Sequence, residues 1–119
     1  MSEPLLDLPA LGELQRRLGS ERFRRVLTAQ MTNGQDLIRR LVALEISPDP
    51  AQVKAIAHQI AGSSGSVGLR RLGGQAASLE RAVVAAELPA AAALAVLVRD
   101  LRHCLELSQA ALRDEFPEI

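Results

Sequence analysis

The chain has 119 residues, which suits one domain over residues 1–119 with a single modest core and leaves no room for a second. Its 14 basic and 14 acidic residues cancel, so no net field gathers nucleic acid or an anionic membrane surface, and the absence of Trp and Tyr removes base-stacking platforms. Cys104 is the only cysteine, which excludes an internal disulfide and a cysteine-rich metal site and fits a cytoplasmic chain.

The opening residues, MSEPLLDLPA, are acidic and broken by two prolines, unlike a signal peptide. Leu8, Leu11, Leu14 and Leu18 then predict a short first helix, with Pro9 in its first turn and Gly19 past its end. Ser20 is expected to cap a long second helix whose inner face runs through Phe23, Val26, Leu27, Gln30, Gly34, Leu37, Leu41 and Leu44. Asn33-Gly34 is a turn signal in isolation, but the apolar stripe keeps its register on both sides, so one helix with a weak point is predicted. Ser47-Pro48-Asp49-Pro50 is the clearest break, with Asp49 as N-cap and Pro50 at the first position of a third helix reaching about Val67.

Gly68 marks a tight corner, and a fourth helix follows from about Arg70 to Ala86 with Leu72, Ala76, Leu79 and Val83 inward. Leu88-Pro89 interrupts it. Pro89 opens a fifth helix to about Arg113, buried through Leu94, Leu97, Leu101, Leu105, Ser108 and Leu112. The apolar run Leu88–Val98 is too short to span a bilayer and reads as a buried helix. Alanine and leucine dominate and strand-like runs are missing, so the expected fold is all-α. The architecture is an antiparallel, up-down-up-down four-helix bundle with a short additional N-terminal helix at one end.

The stretch Ala57–Leu72, AHQIAGSSGSVGLRRL, carries the functional signal. On a helix, Val53, Ile56, Ile60, Ser64 and Val67 share the core side, and His58 falls opposite them, toward solvent. Its outer neighbours are Lys54, Ala55, Ala61, Gly62 and Gly65. Each glycine costs roughly 1 kcal/mol against alanine inside a helix, and neither lies where packing against the core offsets the loss. Something from outside therefore needs to come close to His58. The inward Ser63 and Ser64 are small enough for tight packing, and their hydroxyls can bond back to the preceding turn.

An exposed imidazole is mostly neutral and nucleophilic at pH 7. No Asp or Glu lies one turn away on its helix face, and no second histidine or carboxylate stands at metal-ligand spacing in that helix. GSSGSVG is no phosphate loop, since no lysine follows it and its phase keeps it helical. A nucleophile without base, metal or cofactor makes sense if a partner supplies the rest. Phosphoryl transfer, which needs in-line approach and charge neutralisation, fits that demand.

The same stretch closely resembles the phosphoacceptor signature of histidine-containing phosphotransfer (HPt) domains, with His58, Ile60, Gly62, Ser63, Ser64, Val67 and Gly68 matching in order without gaps. Leu72 and Leu79-Glu80 resemble that family's next helix. The resemblance implies that His58 accepts a phosphoryl group from an aspartyl phosphate on one receiver domain and passes it to an aspartate on another. The partners would be receiver domains of hybrid histidine kinases and response regulators. The chain would be a cytoplasmic, monomeric relay with no kinase activity, no cofactor and no metal, and the outward Nε2 is the sterically favoured acceptor. The family usually has a lysine or arginine three positions after the histidine, where this chain has Ala61. Lys54, the only lysine, is the natural substitute one turn earlier.

Arg70 and Arg71 begin the next helix and read as surface charge or as flanks of a docked receiver, His103 as a surface residue, and Cys104 as a small buried hydrophobe. Two other readings remain. One is a helical adaptor or inhibitor that binds a kinase or receiver domain without being phosphorylated, which the missing cation at Ala61 keeps open. The other is the dimerising hairpin of a sensor kinase, where an acidic residue rather than Gln59 would follow the histidine.

Overall fold

The computed structural model describes residues 3–83 and 88–118. Five helices follow in order: α1 (Leu8–Leu18), α2 (Ser20–Ala43), α3 (Pro50–Ser66), α4 (Arg70–Ala82) and α5 (Ala91–Glu115). Among the described residues there is no strand, and no helix is long and apolar enough to cross a membrane. Helices α2 and α4 each pack against both α3 and α5, which closes a four-helix bundle with α3 and α5 on a diagonal, while α1 lies on α2.

The predicted stripes form the core. Phe23, Leu27, Leu37 and Leu41 of α2 share one apolar cluster with Val53, Ile56 and Ile60 of α3, Leu72 and Leu79 of α4, and Leu101 and Leu112 of α5. Each such side chain contributes roughly 1.5–3 kcal/mol on leaving water. Val26, Leu44 and Leu97, expected inside, are only half-buried at the edge of that cluster.

Helix α2 passes through Asn33-Gly34 without a break. A Cβ on Gly34 would stand 3.2 Å from Leu105 Cδ1, so the glycine is there for the close approach of α5. Three expectations are corrected at helix ends. Gly19, at φ +79°, takes the N-cap position of α2, and Ser20 is already helical and makes no capping hydrogen bond. Helix α5 begins at Ala91 behind an Ala90 N-cap rather than at Pro89. Its first turns are not buried all round: Leu94 and Val98 face the core, while Ala91, Ala92, Ala93, Ala95 and Val96 are exposed. The expected extension of α4 to Ala86 falls partly on residues 84–87, which lie outside the described residues.

Helix α1 does more than cover an end. Asp7 caps it by accepting the Ala10 N–H at 3.1 Å, and the Asp7 N–H donates to the Gly68 carbonyl at 2.8 Å. With Leu11 fully buried, the start of α1 is fixed onto the corner between α3 and α4.

Candidate functional site

Helix α3 is held at both ends by local chemistry. At its start the Asp49 carboxylate accepts the Ala51 N–H at 3.0 Å, the Gln52 N–H at 3.4 Å and the Gln52 side-chain amide at 3.0 Å. Those donors, the Gln52 side chain foremost, hold the Asp49 carboxyl below its ordinary value. At its end the helix runs through Gly62-Ser63-Ser64-Gly65 and stops in a Schellman motif. The Leu69 N–H donates to Ser64 O at 2.9 Å and the Gly68 N–H to Gly65 O at 3.5 Å, with Gly68 at φ +73°. A Cβ on Gly68 would lie 3.0 Å from Leu11 Cγ and 3.2 Å from Asp7 O, so backbone conformation and space both require glycine.

From this corner α4 returns along α3. Gly73 faces Ala61 and Ser64, where a Cβ would stand 3.6 Å from both Ala61 O and Ser64 Cβ. That contact lets the two helices approach closely. Ser63 Oγ donates back to Ile60 O at 3.4 Å as expected, but the fully buried Ser64 hydroxyl finds no partner among the described residues. Ser64 serves there as a small side chain under α4.

The close return brings Glu80 to His58: Glu80 Oε2 lies 3.0 Å from His58 Nδ1. The imidazole side chain is 74% exposed and the glutamate 27% exposed, so the ring stands out from the bundle while the carboxylate beneath it is largely covered. An ionised carboxylate only accepts, so the neutral ring carries its proton on Nδ1 and keeps the Nε2 lone pair free. The expectation that His58 lacks an orienting acid therefore holds only for its own helix. The signal for Glu80 was in the sequence: His58 lies ten residues before Gly68 and Glu80 twelve after it, which an antiparallel hairpin brings to the same height.

Around the ring, Lys54, Ala55, Gly62 and Gly65 are exposed, and a Cβ on either glycine would meet nothing within 4 Å. Ala61, placed by the periodicity among the outer neighbours, is half-buried because α4 crosses it. Ala61 and Gly65 border a shallow depression of about 260 Å³ together with Gly68, Gly73, Gly74 and Arg70. Arg71 Nε donates to Glu3 O at 2.7 Å, and Arg70 Nε lies 4.0 Å from Glu3 Oε1, so both arginines engage the N-terminal segment. His103 is exposed on α5, the helix diagonal to α3, and stays outside the site. Cys104 is buried, which pushes its thiol above the ordinary value. Among the described residues no three His, Cys, Asp or Glu side chains gather as a metal site.

The Hpt domain family model matches residues 22–115, which include α3, α4 and the His58–Glu80 pair. The fold is similar to the crystal structure of histidine-containing phosphotransfer protein B (HptB) from Pseudomonas aeruginosa PAO1, with a TM-score of 0.84 and 24% identity over 96% of each chain. At that identity the likeness speaks for the fold. No curated protein sequence matches the chain. With the family model spanning most of its length, the chain belongs to the Hpt domain family, the histidine phosphotransfer proteins of two-component systems.

Proposed function

We propose that His58 is the phosphoacceptor of a relay that takes its phosphoryl group from an aspartyl phosphate on one receiver domain and returns it to an aspartate on another. One observation carries this reading: an imidazole 74% exposed, with Nδ1 held by Glu80 and Nε2 left free above a surface of alanine and glycine. In the forward step the Nε2 lone pair attacks phosphorus, the P–O bond to the aspartate breaks, and the aspartate leaves as carboxylate. The proton stays on Nδ1, so the phosphorylated ring is an imidazolium beside the Glu80 carboxylate. Glu80 thus acts as a positioning residue that fixes the tautomer beforehand and stabilises the cation afterwards.

The receiver supplies the acceptor or donor carboxylate and its own charge-neutralising groups. It approaches over Ala55, Gly62 and Gly65, where no side chain obstructs in-line geometry. A groove of about 440 Å³ between the end of α2 and the start of α3, bordered by Leu44, Ala55 and Ile56, extends the same surface. The chain acts in the cytoplasm as a monomer, which gel filtration tests.

The decisive experiment mixes the protein with a phosphorylated receiver domain and follows acid-labile, base-stable label. Wild type acquires it, and His58→Gln does not while keeping its helical circular dichroism. If wild type never accepts label and His58→Gln still binds the receiver normally, the adaptor reading replaces this one.

A further inference from the structure

We propose that Lys54 holds the phosphoryl oxygens of phospho-His58, which makes it the anion-binding residue of the site; the inference rests on the phosphoacceptor reading above. Apart from His58, Lys54 is the only ionisable side chain in α3. It stands four residues before His58 on the same exposed face. Helical side chains lean toward the N-terminus, which tilts the imidazole toward the turn that carries Lys54 and Ala55.

On α4, and at Arg40 near the end of α2, the cations are engaged elsewhere. Arg40 pairs with Asp36 at 3.2 Å, Arg70 and Arg71 engage Glu3, and Arg81 Nη2 donates to Ser78 Oγ at 3.1 Å. Among the described residues Lys54 makes no ion pair and no side-chain hydrogen bond.

The need for a cation follows from charge. A phosphoryl group brings about −1.5 to −2 charges at pH 7 to a site where the Glu80 carboxylate already stands against the ring. After His58, α3 carries no charged side chain, and Ala61 is half-buried against α4. An ammonium on a flexible stem, with three donors, can follow the phosphoryl oxygens as they move from donor to ring. Placing that charge before His58 keeps the Gly62 and Gly65 side clear of bulky side chains of α3.

Phosphoramidate tests this without a receiver. Nε2 attacks its phosphorus, the P–N bond breaks, ammonia leaves with the proton already on the phosphoramidate nitrogen, and Nδ1 keeps its own. Lys54→Gln is expected to slow labelling of His58 roughly 3- to 10-fold, and Lys54→Arg to keep most of the rate. Lys54→Gln combined with Ala61→Lys, which moves the charge to the other flank, is expected to recover part of the loss. Salt near 1 M, where screening acts within about 3 Å, should bring the wild-type rate toward that of Lys54→Gln. Labelling of Lys54→Gln at the wild-type rate, or equal losses in the Gln and Arg variants, overturns the assignment. Failure of wild type itself to be labelled, or labelling of His58→Gln, points instead to failure of the phosphoacceptor reading.

Discussion

A methyl group placed on Gly62 or Gly65 touches nothing of the protein's own, yet both positions lie inside α3. Replacing both by alanine should therefore stabilise the fold by about 1–2 kcal/mol, since each glycine costs roughly 1 kcal/mol of helix propensity. That stability is given up in favour of approach from outside. Gly62→Leu separates the two effects. Labelling by phosphoramidate, a small donor, should stay near the wild-type rate because the His58–Glu80 pair is untouched. Transfer from a phosphorylated receiver domain should fall by about 10²-fold, the scale set by displacing reacting groups by an ångström or so. Comparable rates with the receiver would remove the steric argument. The exposure of His58, Ala55, Gly62 and Gly65 was legible from helical phase, whereas the cover over Ala61 was not, because α4 supplies it. Glu80 was not paired with His58 from spacing along α3, since its contact depends on how tightly a second helix returns.

That return is a property of the α3–α4 hairpin, and two residues fix the ends of α3. Gly68 combines a left-handed backbone with contacts to Leu11 and Asp7 that leave no room for a side chain. Gly68→Ala should cost about 1–3 kcal/mol, from strain at φ +73° plus displacement of α1, measurable by urea unfolding. Asp49 fixes the other end. Its carboxyl is held below the usual value in the fold, so its contribution is fully present above the unfolded value and is lost as pH falls through the folded one. The gap in unfolding midpoint between wild type and Asp49→Ala should thus be constant near neutrality and narrow in the acid range below the usual carboxylate value. A gap unchanged by acid would mean that the cap does not act through its charge. Both ends were readable beforehand, Gly68 from the last phased residue and Asp49 from the proline after it. The end residues of α2 and α5 were misread because Ser20 and Pro89 are good terminal residues by type. Which of them occupies the boundary is decided by the backbone at Gly19 and Ala90.

At the scale of the whole bundle, the site depends on α3 and α4 staying packed, with α2 against α3 and α5 against α4, because His58 and Glu80 sit on different helices and neither defines the site alone. The stripes that assemble them were legible because apolar residues at spacings of three and four leave few other ways to pack. Close approaches such as Gly34 under Leu105 and Gly73 under α3 were not, since they depend on interhelical distance rather than on phase. Phe23, fully buried, meets Phe116 edge-to-face with centroids 4.9 Å apart, which ties the start of α2 to the end of α5. Phe23→Ala should therefore cost about 3–5 kcal/mol. Cys104, buried and with its thiol raised by desolvation, reports this loss directly, because alkylation requires the core to open and the thiolate to form. If the domain opens as one unit, the alkylation rate at fixed pH should rise in Phe23→Ala by the same factor as the unfolding equilibrium, on the order of 10²-fold or more. Over the same variants, phosphoramidate labelling per folded molecule should stay constant. A fall in labelling that outruns the unfolded fraction would show instead that the His58–Glu80 contact loosens before the bundle does.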